Sequence, residues 1–312
     1  MSFLNTVVDK VYVINLKKDK AKLKSLTKEL NDQHIVFERF DAIDGSSINN
    51  DSRITSFCNS YCSNGIKGCA LSHRTIWENA LKKGYETVAI LEDDIRFNNN
   101  FNTILQLNYY SIPNDFDIIY LGSAFQCGDT SIYNRFLESI LNINNKKINE
   151  NILKVSGCAG TYAYIISKKC MEKFVKEKIN FHIDQEMLNH IRKLNLKTYA
   201  FQPVIVETYV HGSNLNSSFP PLLNSILSSI KLTNQNNAIP LNWLINETAY
   251  QYGKLKLCFL TLAIFLICLL VPLKYYYILY IWLILEFLAS FDFTNSLFYG
   301  IIISIPFFIK SY

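Results

Sequence analysis

Apolar and polar positions follow two rhythms over the first two thirds of the chain. Residues 11–16, Val-Tyr-Val-Ile-Asn-Leu, are β-branched and aromatic, which predicts a strand. Leu23, Leu26 and Leu30 then recur on one face of a helix over residues 21–30. A second strand over 35–40 closes at Asp41-Ala-Ile-Asp-Gly45, where Asp-Gly signals a turn. Strand, helix and strand with short connections form a βαβ unit, and hence a parallel pair. Residues 46–67 are polar and read as a loop. Residues 68–81 have helical periodicity through Ile76, Trp77, Ala80 and Leu81, stopped by Lys82-Lys83-Gly84. Strands are predicted at 87–91, 117–121, 161–167 and 204–207, with helices over 168–178 and 184–194. The alternation predicts an α/β domain, residues 1–215, with a mainly parallel sheet and no internal repeat.

The rhythm then changes. Residues 216–254 carry Pro220-Pro221 and many Asn and Ser, and read as a linker with one amphipathic stretch over 222–232. From 255 to 312 the only charged side chains are Lys256, Lys274, Glu286, Asp292 and Lys310. Three apolar blocks, 257–273, 275–291 and 293–309, each run roughly 17 residues against the ~20 of an ordinary span. Tyr275, Tyr276, Tyr277 and Trp282 suit an interfacial aromatic belt, and Glu286 is costly unless it faces protein or water. Two or three membrane-associated hydrophobic helices are expected over 255–312; the alternative is a buried helical subdomain. This tail explains why 49% of the chain is hydrophobic and only 18% charged.

Net charge is +5, without a basic block or an Arg-rich stripe, so nucleic acid is not an expected partner. The first ten residues lack a signal-peptide pattern, which places the globular part on the cytosolic side of a membrane. Cys58-x3-Cys62 followed by Cys69 has no fourth ligand at zinc-like spacing, and reduced thiols are expected of the eight cysteines.

The chemistry concentrates at Glu92-Asp93-Asp94, directly after a buried strand. Ligands of open α/β sheets collect at the carboxyl ends of strands. Adjacent carboxylates repel one another, and Mg²⁺ or Mn²⁺ with phosphate oxygens offsets that repulsion. Extended backbone alternates its side chains, so Glu92 and Asp94 are expected to face the metal and Asp93 the other way. Taken alone, an acidic turn that merely ends a strand is the competing reading.

Its neighbours narrow the choice. Ile14-Asn15-Leu16, then Asp44-Gly45, then Gly68-x3-Ser72-His73 on a helix, then Ile90-Leu91-Glu92-Asp93-Asp94, resemble glycosyltransferase family 25, the lipooligosaccharide and procollagen β-galactosyltransferase type. The likeness covers roughly residues 8–215. It implies a GT-A-like nucleotide-sugar-binding fold, a UDP-sugar donor, a Mn²⁺-type metal and an inverting transfer of a hexose, galactose being the commonest. The acceptor would be a glycan, glycolipid or glycoprotein. Carried over by position, Glu92 and Asp94 are metal ligands. Asn15, Leu16, Lys18, Asp44, Gly45, Ser72, His73 and Asp93 border the donor. Ile183-Asp184-Gln185-Glu186 resembles an acidic element of the family, without its preceding proline. Where the family shows arginines after Asn-Leu, this chain has Lys17, Lys18, Lys20 and Lys22, which supply charge without bidentate geometry.

An inverting transfer needs a carboxylate to take the acceptor's proton. Asp184 is the candidate base and Glu186 its substitute, an N-cap being the structural alternative for Asp184. His211 would complete the metal shell or contact a phosphate, or stand as a polar loop residue. Two other classes remain open: a Mg²⁺-dependent nucleotidyl or phosphoryl enzyme, and a membrane-tethered scaffold without catalysis. Asn15 at the end of the first strand argues against an aspartyl-phosphate mechanism.

Overall fold

The computed structural model describes residues 1–125, 127–208, 217–234, 238–253 and 255–311, in two compact units. The first gathers Met1–Ser60, Asn64–Gly212 and Leu232–Ala238; the second takes Tyr61–Ser63, Ser213–Lys231 and Ile239–Tyr312. In the first unit the strands are β1 (Lys10–Asn15), β2 (Glu38–Asp41), β3 (Thr87–Glu92), β4 (Ile95–Phe97), β5 (Ile118–Gly122), β6 (Lys146–Lys147), β7 (Ile152–Val155), β8 (Ala163–Ser167), β9 (Thr198–Phe201) and β10 (Val206–Thr208). Its helices are α1 (Leu4–Val7), α2 (Lys20–Asp32), α3 (Ser56–Tyr61), α4 (Asn64–Lys82), α5 (Phe101–Tyr109), α6 (Ile132–Ile140), α7 (Lys168–Phe174) and α8 (Ile183–Lys193).

Eight strands make one sheet in the order β2-β1-β3-β8-β5-β9-β7-β6. The β1–β2, β1–β3 and β5–β9 pairs are parallel, whereas β8 runs against β3 and β5, and β7 against β9 and β6. Six of the eight strands therefore point the same way and two are reversed, so the sheet is mostly parallel, as the alternation of strands and helices predicts. The reversal of β8 matters for the site. Leu91 pairs with Ala163, which brings the start of β8 to the carboxyl end of β3.

Period-two burial divides the strands between two helical layers. Val11, Val13, Ala89, Leu91, Ile119, Leu121 and Ile165 join Leu26 and Leu30 of α2 and Phe101 and Leu105 of α5 in one buried core. The alternate residues face α4 and α7: Tyr164 hydrogen-bonds to His73 and Trp77, and Trp77 packs on Phe174. Both faces are covered, which is why β3 and β5 are near-continuous apolar runs.

Several elements differ from expectation. The helix predicted over 68–81 begins at Asn64, and α3 occupies part of the stretch 46–67 read as a loop. The helix predicted over 168–178 ends at Phe174. Elements α1, β4, α5, α6, β6, β7 and β9 were not anticipated. The expectation of reduced thiols is corrected: Cys127 and Cys158 form a disulfide, their Cα atoms 5.5 Å apart and within bonding reach. It staples the loop after β5 to the loop before β8, where Phe125 and Ala159 also bridge. Cys58 and Cys62 are likewise disulfide-bonded.

The second unit holds α9 (Pro221–Leu227), α10 (Leu241–Ile245), the antiparallel hairpin β11 (Thr248–Tyr252) and β12 (Leu255–Cys258), then α11 (Phe259–Leu270), α12 (Tyr276–Ser290) and α13 (Phe293–Ser311). Within the residues read as a linker, 216–254, the structure thus describes two short helices and the first strand of a hairpin. Two of the three apolar blocks, Leu273–Ser290 and Phe293–Ser311, form helices long and apolar enough to cross a membrane by length and composition; Phe259–Leu270 is shorter. Glu286 is fully buried and faces protein. Its carboxylate accepts from the amides of Leu222 and Leu223 at 2.7 and 2.9 Å, in the first turn of α9, and from Trp282 Nε1 at 2.9 Å. The acid satisfies a helix start that has no side-chain cap of its own.

Removing that carboxylate leaves three part-buried donors without it. Glu286→Ala is expected to cost about 1–3 kcal/mol in this unit and to speed amide exchange at Leu222 and Leu223. Unchanged exchange at those amides contradicts the assignment.

Candidate functional site

The carboxyl ends of β1 and β3 lie side by side, with Ile14 paired to Glu92. Beyond Glu92 the strand stops, and Asp93-Asp94 form the turn into β4. The alternation expected for the three acids ends with the strand. Asp93 and Asp94 share a cation, Lys22 Nζ standing 3.7 Å from an oxygen of each. Glu92 points instead to the α4 side, where Thr161 Oγ1 donates to it at 3.1 Å and His73 Nε2 faces it at 3.4 Å. The expectation that Asp93 alone faces away is therefore corrected; Glu92 and Asp94 remain close enough for their charges to interact.

Each acid is held. Asn15 Nδ2 donates to Asp93 at 2.6 Å and to the Asp19 carbonyl at 3.1 Å, tying the β1–α2 loop to the acidic turn. Arg39 Nε on β2 donates to Asn15 Oδ1 at 3.0 Å, which fixes the amide with its NH₂ toward Asp93. Thr208, at the end of β10, donates to the Asp94 carbonyl. Burial raises the Asp93 carboxyl above its usual range, opposed by the Asn15 bond and Lys22. Burial first, then the Glu92 charge, pushes Asp94 up to about 7.

His73 ends a chain of hydrogen bonds. Trp77 Nε1 can only donate, and does so to Tyr164 Oη at 3.1 Å. The Tyr164 proton then has His73 Nδ1, 2.8 Å away, as its acceptor. That leaves Nε2 of this fully buried imidazole as the N–H facing Glu92. The Cys69 sulfur lies within 4.8 Å of the same imidazole and carboxylate, a set of atoms that could bracket a cation. The tautomer that satisfies Tyr164 puts a proton on Nε2, which faces Glu92 without closing a hydrogen bond.

The other expected residues divide. Leu16 and the exposed Lys18 lie in the β1–α2 loop beside Asn15. Asp44 is exposed and caps its own turn, accepting from Ser46 N at 2.9 Å and Ser46 Oγ at 2.7 Å. Gly45 and Gly68 form a backbone joint: a Cβ at Gly45 would stand 1.7 Å from the Asn64 carbonyl oxygen, and one at Gly68 2.5 Å from that of Ile43. Ser72 is fully buried, donating to the Gly68 carbonyl and accepting from Ile43 N. The structure thus gives Gly45 and Ser72, expected to touch the donor, the task of locking α4 to the Asp44 turn. Asp184 sits in the first turn of α8, whose N-cap is His182, and accepts from Gln185 N at 2.7 Å. Tyr120 on β5 is held protonated by burial. Glu186 lines a cleft with Arg74, Trp77, Phe174, Met187 and His190, and burial raises its carboxyl. Trp77, Tyr164 and His73 stand in series between that cleft and Glu92, so Glu186 belongs to the helical layer and not to the acidic turn. His211 lies outside the described residues.

Sequence reasoning missed Arg39, Thr161 and Tyr164, and noted Lys22 only as one of several lysines. Lys22 had a signal: it falls in the first turn of the helix that follows β1, above the strand ends. Arg39, Thr161 and Tyr164 had none, because each reaches the site through strand pairing distant in sequence.

Comparison with known proteins gives these residues a setting. The profile of glycosyltransferase family 25 (LPS biosynthesis protein) matches residues 8–188. A Haemophilus influenzae protein named provisionally as a glycosyltransferase is 30% identical, over 54% of this chain and 58% of its own length. Procollagen galactosyltransferase 2 of Homo sapiens is 28% identical, over 64% of this chain and 34% of its own. Inactive glycosyltransferase 25 family member 3 of Mus musculus is 29% identical, over 36% and 22% respectively. The chain spans less than two thirds of the length of each of these relatives.

Two outcomes follow from the geometry. Asp94 titrates near 3.8 when unfolded and near 7 when folded, so the folded chain binds more protons between those values and loses stability as pH rises through them. Asp94→Asn is expected to raise the unfolding midpoint in EDTA at about pH 8, by about 2–4 °C per kcal/mol regained, and to give no gain near pH 4. A midpoint that does not rise at about pH 8 contradicts the burial argument. If the acidic turn takes Mn²⁺, His73→Ala is expected to weaken that binding roughly 10–100-fold, with partial recovery in His73→Gln, which keeps an N–H toward Glu92. Equal Mn²⁺ affinities by calorimetry would remove His73 from the site.

Proposed function

This chain belongs to glycosyltransferase family 25, and on that premise we propose that it moves a hexose from a UDP-sugar to a hydroxyl of a glycan, glycolipid or protein. In this reading the transfer is inverting and depends on Mn²⁺ or Mg²⁺, and galactose is the first candidate because a relative is a procollagen galactosyltransferase. The observation that carries the proposal is the acidic turn at the end of β3, held by Asn15 and Lys22 beside the β1–α2 loop.

The chemistry of the turn fits a hard divalent cation: the Asp94 carboxyl is pushed up to about 7 by burial and by the Glu92 charge, which a cation would offset. Asp94 with Glu92 would hold the ion, Asp93 being held by Asn15 and Lys22, and the ion would supply positive charge against the departing diphosphate. Lys22 and Lys18 add charge on the same side of the loop. Asn15 keeps Asp93 oriented, and the His73 imidazole faces Glu92. Asp184 takes the acceptor's proton; Glu186, behind Trp77, is the poorer base. Membrane attachment through Leu273–Ser290 and Phe293–Ser311 completes the reading. Disulfides persist in oxidising surroundings, so the Cys127–Cys158 bond weighs against a cytosolic placement.

A second reading, donor binding without transfer, is favoured by the likeness to a relative named as inactive. The full chain in detergent, offered a panel of UDP-sugars with Mn²⁺ or EDTA, separates the two. Slow release of UDP from one sugar, lost with EDTA and in Asp94→Ala, is the expected result. Mn²⁺-dependent binding of UDP with no release from any sugar, even with glycan acceptors added, would favour the scaffold.

A further inference from the structure

Helix α6 turns an apolar stripe away from its own domain. Helices of soluble domains turn their apolar stripe to the core. Here the inward face is only half apolar, Tyr133 and Leu137 standing beside Asn134 and Glu138. Asn134 is fully buried and donates to the Asp129 carbonyl and to Glu138, both at 2.9 Å. Glu138 also accepts from Gly128 N at 2.8 Å and from Asn145 Nδ2 at 2.9 Å, holding the loop before the helix and the turn after it. The Tyr133 ring packs edge-on against Phe125. The outward face carries Ile132, Phe136 and Ile140, spaced four residues apart and 81%, 59% and 59% exposed. Leu141 after the helix and Ile148 in the β6–β7 turn are exposed as well. Single exposed apolar residues are ordinary, but an aligned stripe above a half-polar underside marks a surface that something apolar covers.

The charges beside it indicate what. Arg135 is exposed on the helix. In the β6–β7 hairpin Lys146 and Lys154 are direct cross-strand partners and both exposed. Like charges directly opposite in an antiparallel pair are destabilising, and an anionic surface relieves that cost. Glu138 is turned inward and Glu150 pairs with Lys147 at 3.0 Å, so the patch presents net positive charge around its apolar stripe. An apolar helix face rimmed by cations is the chemistry of a segment lying in an anionic lipid interface.

We propose that α6 and the β6–β7 hairpin rest on an anionic bilayer, with Ile132, Phe136 and Ile140 in the acyl boundary and Arg135, Lys146 and Lys154 at the phosphates. This rests on the reading of the tail as membrane-spanning, which supplies the bilayer. It adds to that reading a second, peripheral contact made by the α/β unit itself, which would hold that unit at the lipid surface where a glycolipid acceptor presents its sugar.

Hydrogen exchange on the full chain tests it, in detergent micelles, in phosphatidylcholine nanodiscs, and in nanodiscs that also contain phosphatidylglycerol. The expected result is at least tenfold slower exchange of the α6 amides in the anionic discs than in micelles, with neutral discs between. Phe136→Ser should abolish the slowing while matching wild type in micelles, which shows that the helix still forms. Protected α12 and α13 amides with α6 equally fast in discs and micelles would overturn the docking and leave the spanning tail intact. Failure of the chain to enter discs overturns both readings. Slowing in micelles that grows with protein concentration assigns the stripe to a second copy and overturns the lipid assignment.

Discussion

Three carboxylates in succession at the end of a buried strand repel one another, and much of the surrounding structure holds them in place. Glu92 and Asp94 interact unfavourably enough that, with burial, Asp94 is pushed up to about 7. The fold offsets part of this with one lysine, one amide and one imidazole, drawn from α2, β1 and α4. None of these neutralises the cluster. A group of acids kept together at that expense suits a cation and its anionic ligand better than it suits a turn.

The supports are built from backbone as much as from side chains. Gly45 and Gly68 let the Asp44 turn and α4 approach within distances that a Cβ forbids, and Ser72 closes the joint with both of its bonds. That contact sets α4 against the sheet, and α4 carries His73 to Glu92. The reversed strand β8 brings Tyr164 and Thr161 to the same point. A motif that resembles a ligand-binding signature in sequence therefore works here partly as a hinge-free anchor for the residues that do face the site.

How much of this could be read from sequence depended on whether the signal was local. Strands β1, β3 and β5 were legible because a strand buried on both faces is a continuous apolar run. The acidic turn was legible because it interrupts such a run. The facing of Asp93 and Asp94 was not, since alternation holds only while the backbone stays extended, and it stops at Glu92. Helix α6 had a local signal, Ile132, Phe136 and Ile140 four residues apart, that was passed over in a stretch read as polar. Thr161, Tyr164 and Arg39 meet the acids only through pairing of distant strands, which one sequence does not reveal. Glu286 was legible as a problem, an acid in an apolar block, while its solution on the α9 amides lay some sixty residues away.

Calorimetric titration of UDP into the full chain, with saturating Mn²⁺ and again with EDTA, tests the central claim most directly. If the turn after β3 is a cation-bridged diphosphate site, UDP binds with Mn²⁺, binding disappears in EDTA, and Lys22→Ala weakens it without abolishing it. UDP binding of equal strength with and without the metal, or no binding in either condition, would contradict that assignment.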